Sequence, residues 1–288
     1  MGILIDAIAN WIKELLISGI MGNLGNLFDT VNDQVGDIAA NVGMTPGAWS
    51  PGVFSIIRSI SETVVLPIAG LLLTFVMTWE LIHLIIDRNN LHEIDTWIFF
   101  KWVFKTMVAV LLLTNTFNIV MGVFDVSQHV VNNAAGIISG NTAVTQGMMA
   151  TLEAELMQMG IGPLLGLWLQ SLIIQLLAAI LNIVIFVIVY GRMIEIYVMT
   201  SLAPLPMATL TNHEMSGMGQ NYLKSLLAIG FQGLLIMVCV AIYAVLIQNV
   251  ATSGDPIGSI WMAIAFTVLL AFTLFKTGNI SKSIFSAH

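Results

Sequence analysis

Polar and apolar positions divide this chain into long apolar runs separated by short polar interruptions. The longest run, LLGLWLQSLIIQLLAAILNIVIFVIVY at Leu164–Tyr190, carries no charge, and no Asp, Glu, Lys or Arg occurs between Glu155 and Arg192. A helix rises about 1.5 Å per residue, so roughly 20 residues cross a hydrocarbon core. This run exceeds that length, and apolar residues cover every side of the helix it would form. A soluble domain has no place for such a helix, so the pattern predicts a membrane span. It should continue helically to Thr200, with Arg192 and Glu195 spaced to pair at i, i+3, and end at Ala203-Pro204-Leu205-Pro206. Pro204 and Pro206 are the expected helix break of a cytoplasmic loop.

Four further spans follow from the same reading. The first starts between Phe54 and Thr63, ends near Ile86, and is kinked by Pro67. The second runs from about Trp97 to Phe124. The fourth is roughly Leu226–Ile247 and the fifth roughly Ile260–Phe275. Between the second and third, residues 125–160 hold turn signals and a helix-like stretch, Met148–Met159. No internal repeat is visible.

The N-terminal segment has a different pattern. Residues 3–22 are amphipathic, with Asp6, Asn10, Lys13 and Glu14 on one face, and predict a helix lying in the membrane interface. Leu24, Phe28, Val31, Val35, Ile38 and Val42 then recur in steps of three and four, a coiled-coil-like seam. It is too short to stand alone. Its partner is either a neighbouring subunit or this chain's own outer loop. Asp29, Asp33 and Asp37 form a stripe beside it, without the ligand loop that calcium needs, and read as a solvated face. Pro46, Gly47, Pro51 and Gly52 break the chain.

Composition agrees with a membrane protein: 58% of residues are hydrophobic and 9% charged, and mean hydropathy is +0.94. Of nine basic residues, all but Lys13 and Arg58 fall on one side of a five-span alternation, which predicts N-terminus out and C-terminus in. The expected organisation is all-α and polytopic. Residues 1–52 form extracytoplasmic amphipathic and coiled-coil-like helices, 53–124 spans one and two, and 125–162 an outer loop. Residues 163–288 form spans three to five, with a cytoplasmic loop at 191–224. The N-terminus shows neither the basic region nor the A-x-A site of a signal peptide. A net charge of −7 argues against general nucleic-acid affinity.

Candidate chemistry is sparse. Glu80 and His83 follow the charge-free run Thr63–Trp79 and read either as a proton or ion relay or as an interfacial cluster with Asp87 and Arg88. Asn115 and Asn118, with Thr114 and Thr116, make an intramembrane polar face that must meet another helix or a wet cavity. Lys101 and Lys105 should extend to the interface. The five histidines have no metal-ligand spacing, and Cys239 lies in an apolar run. No nucleophile elbow, phosphate loop or HExxH motif occurs. Gly162-x-x-x-Gly166 and Gly230-x-x-Gly233 are possible close-packing sites. No cofactor and no enzymatic activity are implied.

Three stretches carry a resemblance: Asp95–Lys105 (DTWIFFKWVFK), Thr114–Asp125 (TNTFNIVMGVFD), and Ser201–Thr209 (SLAPLPMAT) leading to Asn221–Ala228 (NYLKSLLA). They resemble the TrbL-like polytopic inner-membrane subunit of conjugative type IV secretion systems, in the form carried by Gram-positive conjugative elements. That resemblance implies a homo-oligomeric membrane platform near the cytoplasmic ATPases. It further implies contact with outer stalk components and with single-stranded DNA in transit with its relaxase. It brings no catalytic residue. A small-solute or ion transporter, and a structural or lytic phage membrane protein, are the competing readings. Transporters show paired repeats and broken helices around a midplane site; here the ionisable residues mostly fall near interfaces and no second half mirrors the first.

Overall fold

The computed structural model describes residues 2–86, 96–139, 146–251 and 256–287. Among them there is no strand, and eleven α-helices follow one another: α1 Gly2–Val42, α2 Pro46–Trp49, α3 Pro51–Ser59, α4 Leu66–Ile86, α5 Thr96–Thr114, α6 Thr116–Ser139, α7 Gln146–Gln158, α8 Ile161–Leu202, α9 Pro204–Thr209, α10 Ser216–Ala251 and α11 Pro256–Ile284. Four stretches are long and apolar enough to cross a membrane: Pro51–Ile86, Ile161–Leu202, Ser216–Asn249 and Ile257–Ile284. The pair α5–α6 makes a fifth if its bend is allowed. The chain is therefore an all-α, multi-pass membrane protein, as the apolar runs predicted.

Two compact units share these helices. Residues 1–43, 131–190 and 234–277 form the first; 44–130, 191–233 and 278–288 form the second. In the first unit, Leu16, Ile20, Leu24, Leu27, Ile38 and Val42 of α1 are buried in one apolar cluster with Leu164, Leu167, Ile174 and Leu181 of α8, Ile236 and Val240 of α10 and Leu270 of α11. In the second unit, Ala69, Leu73 and Val76 of α4 pack on Ala109 and Leu113 of α5 and Ala208 of α9. A separate cluster joins Phe124 of α6 to Met193 and Ile196 of α8 and to Leu226 and Ile229 of α10. Many remaining large apolar side chains are exposed, among them Leu71, Phe75, Leu176, Ile183 and Phe272. An aqueous surface would disfavour such a patch; lipid suits it.

Several local expectations change. Residues 3–22 and the seam after them are one continuous helix, α1, and not a surface helix followed by a second one. Its apolar stripe meets α8 along much of its length, and that packing carries the helix through its glycines. Just upstream of Pro67, where a kink was expected, the helix widens into a π-helical turn, Ile60–Val65, where the Leu66 amide bonds Ser61 O. Pro67 lacks the N–H that would serve the carbonyl four residues back, and its ring crowds that carbonyl; a widened turn accommodates both. The second span, read as one helix over Trp97–Phe124, bends by 65° at Asn115. Asn115 Nδ2 donates to Leu111 O and Thr114 Oγ1 to Val110 O. Such side-chain bonds compete with the helix ladder and bend it.

The 191–224 stretch is mostly helical. α8 runs to Leu202, and Pro204 opens the short α9 as its first residue, with Pro206 inside it. Arg192 does not pair with Glu195. It is 3% exposed and donates through Nε to Ile229 O (3.0 Å) and through Nη2 to Gly230 O (3.1 Å), while Glu195 meets Lys282 at 3.5 Å. Contacts also join residues that charge placement put on opposite sides of the membrane. Tyr197 Oη donates to Pro46 O (2.6 Å), Ser61 Oγ to Thr200 O (3.4 Å), and a Cβ on Gly230 would overlap the Ser127 hydroxyl. Residues 46–61 and 197–200 thus lie on the same side.

Candidate functional site

The densest gathering of ionisable side chains among the described residues is a cleft in the second unit. It forms where the end of α4, the middle of α5 and the turn after α9 meet. Helix periodicity places Trp79, Glu80 and His83 on adjoining faces of α4's last turns. The α4–α5 packing then sets Lys105 against Glu80. Pro204 starts α9 and the chain turns after Thr209, presenting Asn212, His213 and Glu214 to the same place. The cavity holds about 330 Å³ and is lined by Trp79, Glu80, His83, Lys105, Asn212 and Glu214 among others.

Glu80 is the hub. Its side chain is 11% exposed and that of Lys105 33%, and Lys105 Nζ lies 2.5 Å from Glu80 Oε1. Glu80 Oε2 accepts from Asn212 Nδ2 at 2.7 Å and from the His213 amide at 3.3 Å. Asn212 Oδ1 in turn accepts from the Glu214 and Met215 amides at 2.9 and 2.8 Å, which holds the turn in shape. A second, more exposed pair joins His83 Nδ1 and Glu214 Oε1 at 3.3 Å. Trp79 Nε1 donates to Glu214 Oε2 at 3.1 Å, and its ring lies 5.0 Å from that of His83. Behind the cleft, Trp102 Nε1 donates to Met77 O at 3.0 Å and braces α5 on α4.

This arrangement can clamp. A mostly buried carboxylate bonded to an ammonium and two N–H donors ties a loop to a helical hairpin. Among the described residues no group of three or more His, Cys, Asp and Glu could hold a metal ion. The sequence placed Glu80 and His83 together, and they share the cleft. Their expected companions Asp87 and Arg88 lie outside the described residues. Their actual partners come from α5 and the turn after α9, far away in sequence. Lys105, expected to extend to the interface, is half of the central pair instead. The amphipathic pattern alone gave no sign of Asn212, His213 or Glu214; the one available signal was the polar run Thr211-Asn-His-Glu214 after the two prolines.

Asn115 and Asn118 do not line the cleft. Both are exposed at the α5–α6 bend. Of the seam, Leu24, Ile38 and Val42 are buried inside this chain, joined by Leu27, which the periodicity did not include. The side chains of Phe28, Val31 and Val35 lie outside the described residues. Gly162 and Gly166 have open space where a Cβ would stand, whereas Gly230 is pressed against Ser127.

A family model described as TrbL/VirB6 plasmid conjugal transfer like protein matches residues 31–204. The match covers the described helices from the later part of α1 to the start of α9, including the α4 and α5 walls of the cleft. No curated protein and no solved structure matches the chain.

Proposed function

The chain belongs to the TrbL/VirB6 plasmid conjugal transfer-like family, and on that premise we propose that it is a non-enzymatic channel or platform subunit of a conjugative type IV secretion system. It sits in the cytoplasmic membrane as a homo-oligomer, with its C-terminus in. There it helps single-stranded DNA with its relaxase cross, beside the cytoplasmic ATPases and below the outer stalk components. The observation that carries this reading is the family match over a chain with four or five apolar helices long enough to span. The bonds around Glu80 tie α4 and α5 to the turn after α9, a structural use of charge that suits such a subunit. The test is deletion of the gene in its conjugative element, followed by mating. Transfer should fall by several orders of magnitude and return with the gene supplied in trans. Transfer at the parental frequency after deletion would overturn the proposal.

A further inference from the structure

Resting on the conduit reading, we propose that α1 crosses the membrane beside α8 and turns Asp29, Asp33 and Asp37 toward a water-filled path enclosed by several copies of this chain. The argument starts from register within the first unit. Lys13 Nζ donates to Met157 O, a Cβ on Gly19 would overlap the Trp168 ring, and Asn23 Nδ2 donates to Ser171 Oγ at 2.8 Å. Further along, Asp37 and Asn41 share a cavity with Asn182, Phe186 and Tyr190. Lys13 thus reaches α7 just before α8 begins, and α1 and α8 run parallel with a nearly constant offset: 149 positions at the Gly19–Trp168 contact and 148 at the Asn23–Ser171 contact.

At that offset Asp29, Asp33 and Asp37 stand level with Leu177, Leu181 and Ile185. These lie inside the charge-free interval between Glu155 and Arg192, the stretch least able to leave the hydrocarbon. At about 1.5 Å per residue, Asp33 is about 16 Å from the level of Arg192, close to half of a bilayer core about 30 Å thick.

All three acidic residues are exposed. At 100° per residue they point roughly away from Ile20, Leu24, Leu27 and Ile38, which are buried on α8's side. Around them the outward face is Ser18, Gly22, Asn26 and Gly36, all exposed and none of them apolar and large. After Leu15, no described residue of α1 exposes a large apolar side chain. The outward face of α8 at the same depth is the opposite: Leu172, Ile173, Leu176, Ile180 and Ile183 are all exposed. One layer thus carries two surfaces, one that lipid wets and one that lipid cannot. Ionised carboxylates at this depth face a bundle interior or water. Leu181 and Ile185, level with Asp33 and Asp37, are buried in the first unit's apolar cluster, so the path lies outside that cluster, between copies of this chain. Composition alone does not select α1 as a span, because the residues that would line the path are the ones that lower its hydropathy. An acidic lumen repels a phosphate backbone instead of retaining it.

The test uses the full chain in membranes, with Cys239→Ser as background. Asp33→Cys and Leu176→Cys are probed with two water-soluble methanethiosulfonates, one bearing trimethylammonium and one sulfonate. Asp33→Cys should be modified at least tenfold faster than Leu176→Cys. The cationic reagent should outpace the anionic one there by severalfold, because Asp29 and Asp37 remain. Separately, Asn23→Cys with Ser171→Cys should close a disulfide under mild oxidant. Protection of Asp33→Cys equal to that of Leu176→Cys would overturn the proposal, and so would failure of the Asn23–Ser171 cross-link. Neither readout depends on DNA transfer. A chain that passes both while its deletion leaves mating unchanged would retain the acidic path and lose the conjugative assignment.

Discussion

The Glu80–Lys105 pair makes an asymmetric prediction. Glu80 is the buried member at 11% exposure, and Lys105 keeps 33%. Lys105→Met strands a carboxylate that retains only the Asn212 amide and the His213 N–H, at 2.7 and 3.3 Å. Removing one partner of a fully buried pair costs about 3–5 kcal/mol. Partial exposure of the lysine and the surviving donors reduce that to about 2–3 kcal/mol, the scale of one hydrogen bond to a charged group. Glu80→Gln strands the lysine instead, whose long stem can carry the ammonium toward water; its cost should be about 1 kcal/mol, the scale of an ordinary net hydrogen bond. The double substitution leaves no unpaired charge, so it should be less destabilising than the sum of the singles by about 1–2 kcal/mol. The assay is unfolding in mixed micelles against detergent mole fraction, followed by fluorescence of Trp79 and Trp102, which flank the cleft. Two results would refute the reasoning. One is a glutamate substitution costing as much as the lysine substitution. The other is a coupling below about 0.5 kcal/mol, the level at which non-contacting residues add.

Three other substitutions test separate contacts in the same assay. Gly230→Ala places a methyl onto the Ser127 hydroxyl. It should cost about 1–3 kcal/mol by overpacking, and adding Ser127→Gly should recover much of that loss. Tyr197→Phe removes the 2.6 Å bond to Pro46 O and leaves a buried carbonyl without that donor; a loss of about 1–2 kcal/mol is expected, and no loss would mean that the carbonyl has another partner. Arg192→Met should keep or raise stability. The guanidinium is buried, its described partners are two backbone carbonyls, and Nη1 has none among the described residues; replacing such a charge with an apolar chain of similar volume removes a desolvation cost. A loss above about 2 kcal/mol would point to a charged partner for Nη1.

What the sequence revealed, and what it hid, follows from which interactions are local. The spans were legible because exclusion of charge from lipid acts residue by residue, and the empty interval before Arg192 needs no knowledge of neighbours. The end of α8 was legible for a similar local reason, since Pro204 has no N–H for the carbonyl four residues back and its ring crowds that carbonyl. The bend at Asn115 was half legible. The Thr-Asn-Thr cluster was visible, but it was read as a surface needing partners, while its side chains turn back onto Leu111 and Val110 of their own helix. Glu80 stood out as a charge after an apolar run, yet its partners Lys105 and Asn212 depend on how α4 meets α5 and where α9 delivers the turn. Arg192 shows the limit most clearly. Helical spacing offered Glu195 three residues on, but the guanidinium reaches two carbonyls of α10, beside Gly230, where Ser127 of α6 also presses close. The N-terminal helix is the instructive case. Its acids made it look like a surface element, since a segment read alone is judged as if lipid or water surrounded it evenly. Laid beside the charge-free part of α8, the same acids mark a face that meets water at a depth where the neighbouring helix meets lipid. Hydropathy averages the two faces of a helix, and a subunit that lines a path through the bilayer is one whose faces must differ.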